Sequence, residues 1–203
     1  KLSKKKASSL VKYAIDLGVR RFDSGVNYGN WKTQPFLGCI LKDYLIMERE
    51  KFIINTKAGT HSINSRKAYK NFSPDYIENM INKSIYELNC NYIDNFYLHG
   101  PNLNQIETEG LLQKIKKLKA QGKIRSFGVC SHDIKTIQRI SNGFYDEING
   151  LMLDYNLLQQ NRADVFDNCK QNNIKIIAIT VLCQGLLLQS PLANFIRSRN
   201  MFY

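Results

Sequence analysis

No stretch of the 203-residue sequence approaches the ~18–20 consecutive apolar residues that a helix needs to cross a bilayer. The N-terminal run Lys1-Leu2-Ser3-Lys4-Lys5-Lys6 also lacks the apolar core of an export signal, so a soluble cytoplasmic protein with no membrane partner is expected. Cysteines are few and unpaired in pattern. Cys39, Cys90, Cys130, Cys169 and Cys183 are odd in number and widely spaced, without the short spacings of a zinc site or a disulfide framework. Reduced thiols and no metal are expected. Acidic residues are scarce, 17 Asp and Glu against 29 Lys and Arg, which leaves a net charge of +12. That excess suits an anionic partner, such as a phosphate-bearing cofactor or substrate, and equally a solvated basic surface. Neither Lys4-Lys5-Lys6 nor Lys114-Lys116-Lys117-Lys119 is interleaved with aromatics, and no nucleic-acid partner is assigned. No linker, repeat or low-complexity tract interrupts residues 1–203, a length that suits one α/β domain. With 43% hydrophobic and 11% aromatic residues the composition is that of a globular chain, not a disordered one.

What is present is an alternation. Ala7, Leu10, Val11, Ala14 and Ile15 recur at helical spacing, and Gly18 follows at the position where helices commonly end. Helical patterns at 3–17, from Pro35 through Tyr44, and at 73–88, 107–121, 134–141 and 162–172 are separated by apolar runs at 19–23, 52–57, 92–98, 126–131, 148–155 and 175–182. Strands that are apolar throughout and alternate with helices predict a parallel sheet covered on both faces. Residues 59–72 are polar and basic and read as a long loop, of the length that in compact domains is often functional.

Three successive strand-like runs end on side chains that can do chemistry. The first delivers Asp23 and, after Gly25, Tyr28; the next ends on Lys57 and the third on His99. In a parallel β/α barrel the strand C-termini share one face, where these four could converge. Their types suit carbonyl reduction. A phenol, with an ordinary pKa of about 10, is a poor acid at neutral pH, and a lysine ammonium beside it stabilises the phenolate. Asp23 would hold Lys57, and His99 would hydrogen-bond the substrate carbonyl. No side chain donates hydride, so a nicotinamide cofactor is implied. Singly, each residue has a structural explanation: Asp23 as a cap, Tyr28 as rim cover, Lys57 as a surface lysine, His99 as a loop histidine before Gly100-Pro101. Their serial order is what favours a shared site.

That order resembles the aldo-keto reductase family. The resemblance is carried by the stretch from Ala14 to Ser24 with Tyr28-Gly29, by Asn55-Thr56-Lys57, by the run from Tyr92 to His99, and by the run from Gln121 to Val129. It continues through Asp154-Tyr155-Asn156 and the segment from Leu182 to Leu186. It implies a (β/α)8 TIM-type barrel that binds NADPH, or less often NADH, without a Rossmann fold, and the sequence has no Gly-rich dinucleotide fingerprint. It further implies Tyr28 as general acid, Lys57 and Asp23 as its tuning pair, and His99 as the orienting residue. On the cofactor side Ser131-His132 stands where the family has Ser-Asn, Met152 where it has Gln, and Ile179 where it stacks an aromatic ring. Thr180, Leu182 and Gln184 fall where its pyrophosphate-wrapping loop lies. Trp31 and the stretch 60–72 are expected to border the substrate pocket. The barrel's first and last strands have no counterpart in this sequence, and covering of two open edges by further chain or a partner subunit is expected. The implied activity is NAD(P)H-dependent reduction of an aldehyde, ketone or sugar carbonyl to an alcohol. The alternative is a binding or regulatory subunit of the same architecture with little turnover. Substrate identity and oligomeric state stay open.

Overall fold

A computed structural model of the chain describes residues 3–64, 67–160, 162 and 164–188. In chain order the elements are α1 (Lys4–Asp16), β1 (Arg21–Asp23), α2 (Thr33–Glu48), β2 (Ile53–Ala58), β3 (Thr60–Asn64), β4 (Lys67–Lys70), α3 (Pro74–Glu87), β5 (Ile93–His99), α4 (Leu103–Ile106), α5 (Leu111–Ala120), β6 (Ile124–Cys130), α6 (Ile134–Ser141), β7 (Gly150–Asp154), α7 (Asp164–Gln171) and β8 (Lys175–Ile179). Short 3-10 segments lie at Arg49–Lys51 and Cys183–Leu188. Six strands form one sheet in the order β1-β2-β5-β6-β7-β8, parallel at every pairing. The predicted alternation of strand and helix is thus realised as consecutive β/α units of a TIM-type barrel.

Helix faces follow the spacing of apolar residues. In α5 Leu111, Ile115 and Leu118 are fully buried, while Lys116 and Lys117 point outward. Each such burial is worth roughly 1.5–3 kcal/mol, against an isolated helix of this length that would be marginal in water. The main core lies between the sheet's outer face and the helices and includes Ile54, Ile77, Phe96, Leu98, Phe127, Leu151 and Val165. The other sheet face carries a smaller cluster, Tyr97, Cys130 and Met152, with Ile177 and Ile179 packed against it.

Strand register positions the site. Asp23 pairs with Asn55, Lys57 with Tyr97, His99 with Cys130, Cys130 with Met152, and Asp154 with Ile179. Side chains alternate between faces along a strand, so all of these share the inner face. Lys57 lies two residues beyond Asn55, and His99 two beyond Tyr97. The candidate residues therefore climb the sheet in steps of one side-chain repeat, the stagger that barrel geometry imposes.

Three local expectations are corrected. The stretch read as a long loop forms an antiparallel hairpin, β3 with β4, in which Thr60 pairs with Lys70 and His61 with Tyr69. Its polar sequence carries no apolar alternation, so backbone pairing left no pattern to read. The helix expected over 107–121 begins only after Gly110, as α5, and is preceded by the short α4, which a reciprocal Asn102–Gln105 capping box opens. The last strand stops at Ile179, because Thr180 adopts φ +57°, a left-handed conformation that strands exclude. At α3, Pro74 occupies the first turn, and Ser73 at the N-cap makes no side-chain cap; its N–H donates to Asn71 Oδ1 at 2.9 Å. The five cysteines are free thiols, with Cys39 exposed. Among the described residues no helix is long and apolar enough to cross a membrane.

Candidate active site

Asp23, Tyr28, Lys57 and His99 come together at the C-terminal ends of β1, β2 and β5. Lys57 Nζ donates to Asp23 Oδ2 at 2.5 Å and to the Ser24 carbonyl at 2.8 Å. The Lys57 side chain is 3% exposed and that of Asp23 38%. Burial alone would lower the Lys57 pKa. The Asp23 carboxylate and the Tyr28 phenol outweigh burial and hold it above the ordinary lysine value. Lys57 Nζ sits 4.8 Å from the centroid of the Tyr28 ring, and the Tyr28 and His99 rings meet edge to face with centroids 5.8 Å apart.

The chain between β1 and α2 presents Tyr28. Ser24 N–H donates to Asn55 O and Val26 N–H to Lys57 O, so the strand exit is pinned to β2 before the turn begins. Tyr28 N–H donates to Gly25 O at 3.0 Å, and Gly29, Asn30 and Trp31 follow with φ of +58°, +54° and +64°. A tryptophan in that region costs roughly 1–2 kcal/mol. Trp31 packs partly buried against the main core, with Lys83 Nζ of α3 5.0 Å from its ring centroid. Gly25 packs closely: a Cβ there would lie 3.2 Å from Tyr28 Cε1 and 3.3 Å from Lys57 Cγ, so these side chains would have to give by a few tenths of an ångström. The sequence marks Gly25 as the turn before Tyr28, and the structure adds that it packs against the site itself.

A second phenol shares the inner face. Tyr97, in register with Lys57, is buried, and burial pushes its pKa up to about 12. Tyr28 is the partly exposed one, which suits a proton donor that must reach a ligand.

His99 lines a cleft of about 460 Å³ together with Thr60, Lys70, Gly100, Pro101, Asn102, Ser131, His132 and Asp133. The β3–β4 hairpin forms one wall and clamps the loop after β5. Thr60 Oγ1 donates to His99 O at 2.5 Å, and Lys70 Nζ donates to Gly100 O at 2.6 Å. No motif marks Thr60 or Lys70. A larger cavity of about 790 Å³ lies against the opposite strand ends, lined by residues including Arg21, Asn95, Arg125 and Lys175. It contains none of the four converging residues, so the smaller cleft is the one that chemistry favours.

Of the residues assigned to the cofactor, Ser131 and His132 line that cleft. Ser131 is buried; its N–H donates to Met152 O, and its Oγ accepts from Asp133 N–H at 3.1 Å. His132 is 65% exposed and its Nδ1 is hydrogen bonded to Asp154 Oδ2. Thr180 Oγ1 donates to Asp154 Oδ1 at 2.5 Å. Leu182 and Gln184 are both exposed, Leu182 just before the 3-10 segment and Gln184 within it, where Gln184 also has positive φ. Met152 and Ile179 contribute apolar surface only. Arg162, buried beneath His132, donates from Nη2 to His132 O at 3.1 Å and keeps Nε and Nη1 without a hydrogen-bond partner among the described residues. The Ser131 hydroxyl and the exposed His132 ring fit a ligand that carries an amide.

Comparison with known proteins places the fold. The chain is 28% identical over 193 residues to the uncharacterized oxidoreductase YqkF of Bacillus subtilis, covering 93% of this chain and 60% of that protein. It is 27% identical over 184 residues to the NADH-specific methylglyoxal reductase of Escherichia coli, covering 84% and 54%. The chain thus spans little more than half the length of these relatives. The structure of aldo-keto reductase AKR11C1 from Bacillus halodurans, in its holo form, superposes with a TM-score of 0.82 at 23% identity over 94% of this chain and 62% of that one, so the two share a fold. A family model described as the aldo/keto reductase family matches residues 1–198, nearly everything described above from α1 to β8, and the chain belongs to that family.

Proposed function

We propose that this chain forms most of the catalytic face of a nicotinamide-dependent oxidoreductase that reduces a small hydrophilic carbonyl compound to an alcohol. The observation that carries this reading is the contact of buried Lys57 with both Asp23 and the ring of partly exposed Tyr28, beside His99. Tyr28 gives its phenolic proton to the carbonyl oxygen. Lys57, held charged by Asp23, stabilises the negative charge left on the phenol oxygen. His99 hydrogen-bonds the same carbonyl and sets its angle, and Thr60 fixes the His99 backbone. A dihydronicotinamide, when bound, supplies the hydride that no side chain can. Ser131, His132, Thr180, Leu182 and Gln184 would hold it, in the NADPH or the NADH form. The cleft beside His99 is lined by polar side chains with Pro101 the one apolar ring, which favours hydroxylated or charged carbonyl substrates over aromatic ones.

A second reading, a binding or regulatory subunit with little turnover, is favoured by Met152, which is buried and offers the carboxamide no hydrogen bond. Titration of the full-length protein with NADPH and NADH, followed by a screen of short hydroxyaldehydes and aldoses, decides between them. Saturable binding with carbonyl-dependent oxidation supports the enzyme, whereas binding without oxidation, or no binding by folded protein, favours the second reading.

A further inference from the structure

Asp154 ends β7 with a carboxylate 12% exposed and serves as a hub. Its Oδ1 accepts from Thr180 Oγ1 at 2.5 Å. Its Oδ2 accepts from His132 Nδ1 and lies 4.0 Å from Arg162 Nη1. Arg162 closes the ring by donating to the His132 carbonyl, and Asn156 Nδ2 donates to the Thr180 carbonyl at 3.2 Å. One buried carboxylate therefore ties together the loop after β6, the segment before α7 and the strap that leaves β8.

Two consequences follow from the chemistry of these bonds. An ionised carboxylate only accepts, so His132 must carry its proton on Nδ1; in the neutral ring Nε2 is then an acceptor on a largely exposed side chain. Thr180 is β-branched yet has φ +57°, and Cys183, Gln184 and Gly185 follow with +49°, +54° and +89°. Such a strap persists only where its first residue is held from outside, and the two hydrogen bonds to Thr180 do this.

We propose that Asp154 is a positioning residue for the dinucleotide, presetting both sides of its groove: it presents His132 Nε2 as an acceptor for the carboxamide N–H and anchors the strap at Thr180. This rests on the dinucleotide reading above. Asp154→Asn is the informative change, because an amide turned to donate to the ring nitrogen forces His132 into the opposite tautomer with little change of volume.

The experiment combines imidazole 15N NMR with dinucleotide titration of the full-length protein. This sequence has three histidines, His61, His99 and His132, so His132→Gln assigns the signal. The wild-type ring is expected in the Nδ1–H tautomer, a reading that needs no other variant to fold. Asp154→Asn is expected to show Nε2–H, to bind NADPH or NADH roughly tenfold or more weakly, and to add little further loss in a His132→Ala, Thr180→Val background. A wild-type Nε2–H tautomer, Asp154→Asn binding like wild type, or an equal loss in that background overturns the role of Asp154 alone. Folded wild-type protein that binds neither dinucleotide overturns the functional reading and this role with it.

Discussion

Lys57 reaches the Asp23 carboxylate along a diagonal, because Asp23 stands in register with Asn55 and Lys57 lies two residues further up β2. The same offset brings His99 past Tyr97. A one-residue slip of either pairing would turn these side chains to the helix-covered face, so the site depends on register as much as on residue type.

Tyr28→Phe removes the proton donor and its interaction with Lys57, while the ring's edge-to-face contact with His99 does not need the hydroxyl. Carbonyl reduction should fall by about 10²–10⁴-fold with dinucleotide affinity unchanged. Steady-state rates beside a binding titration check this, and undiminished turnover would remove Tyr28 from its role.

Asp23→Asn should destabilise the fold by about 1–2 kcal/mol, less than the ~3–5 kcal/mol for breaking a fully buried pair, because Asp23 is 38% exposed. The folded pKa of Lys57 lies above the ordinary lysine value of 10.5. Its stabilising contribution is therefore complete below about pH 10.5 and is lost as pH rises through the folded pKa. Denaturant melts should show the difference between wild type and Asp23→Asn as constant from neutral pH to about 10 and shrinking above it. A difference that already vanishes by pH 9 would contradict the pairing.

Gly25→Ala should disturb catalysis without unfolding the protein. The added Cβ meets Tyr28 Cε1 at 3.2 Å and Lys57 Cγ at 3.3 Å, so the phenol must move by a few tenths of an ångström. A loss of roughly tenfold in turnover with a near-normal melting temperature is expected, given that misplacement by about 1 Å can cost 10²-fold. Equal losses in both would make Gly25 a packing residue only.

Gly38→Ala tests the helical layer. A Cβ at Gly38 of α2 would lie 2.1 Å from Glu87 O at the end of α3, so the two helices must separate. The expected cost is about 1–3 kcal/mol, seen as a lowered denaturation midpoint with an unchanged slope. Unaltered stability would show that this helix contact is soft.

The sequence made the frame legible because its evidence was local: apolar runs marked each of the six sheet strands, and strand ends delivered Asp23, Lys57 and His99. The hairpin escaped because β3 and β4 are polar and their order comes from backbone pairing. The hub at Asp154 escaped for another reason. Its partners His132 and Thr180 lie 22 and 26 residues away in sequence, and no spacing rule joins them until the sheet does. Gly38 carries no such signal either: glycine is ordinarily unfavourable inside a helix, and only Glu87 O packed against it shows why a side chain does not fit there.

The order β1-β2-β5-β6-β7-β8 is the chain order once the hairpin is set aside. Each strand therefore meets its partner as it emerges from synthesis, and the sheet can grow by accretion, one short loop closure at a time. At ~5–20 residues per second the ribosome delivers a new β/α unit every few seconds, while helices and turns form far faster. No strand has to wait for a distant partner, and each new strand adds at one edge of the sheet while β1 holds the other.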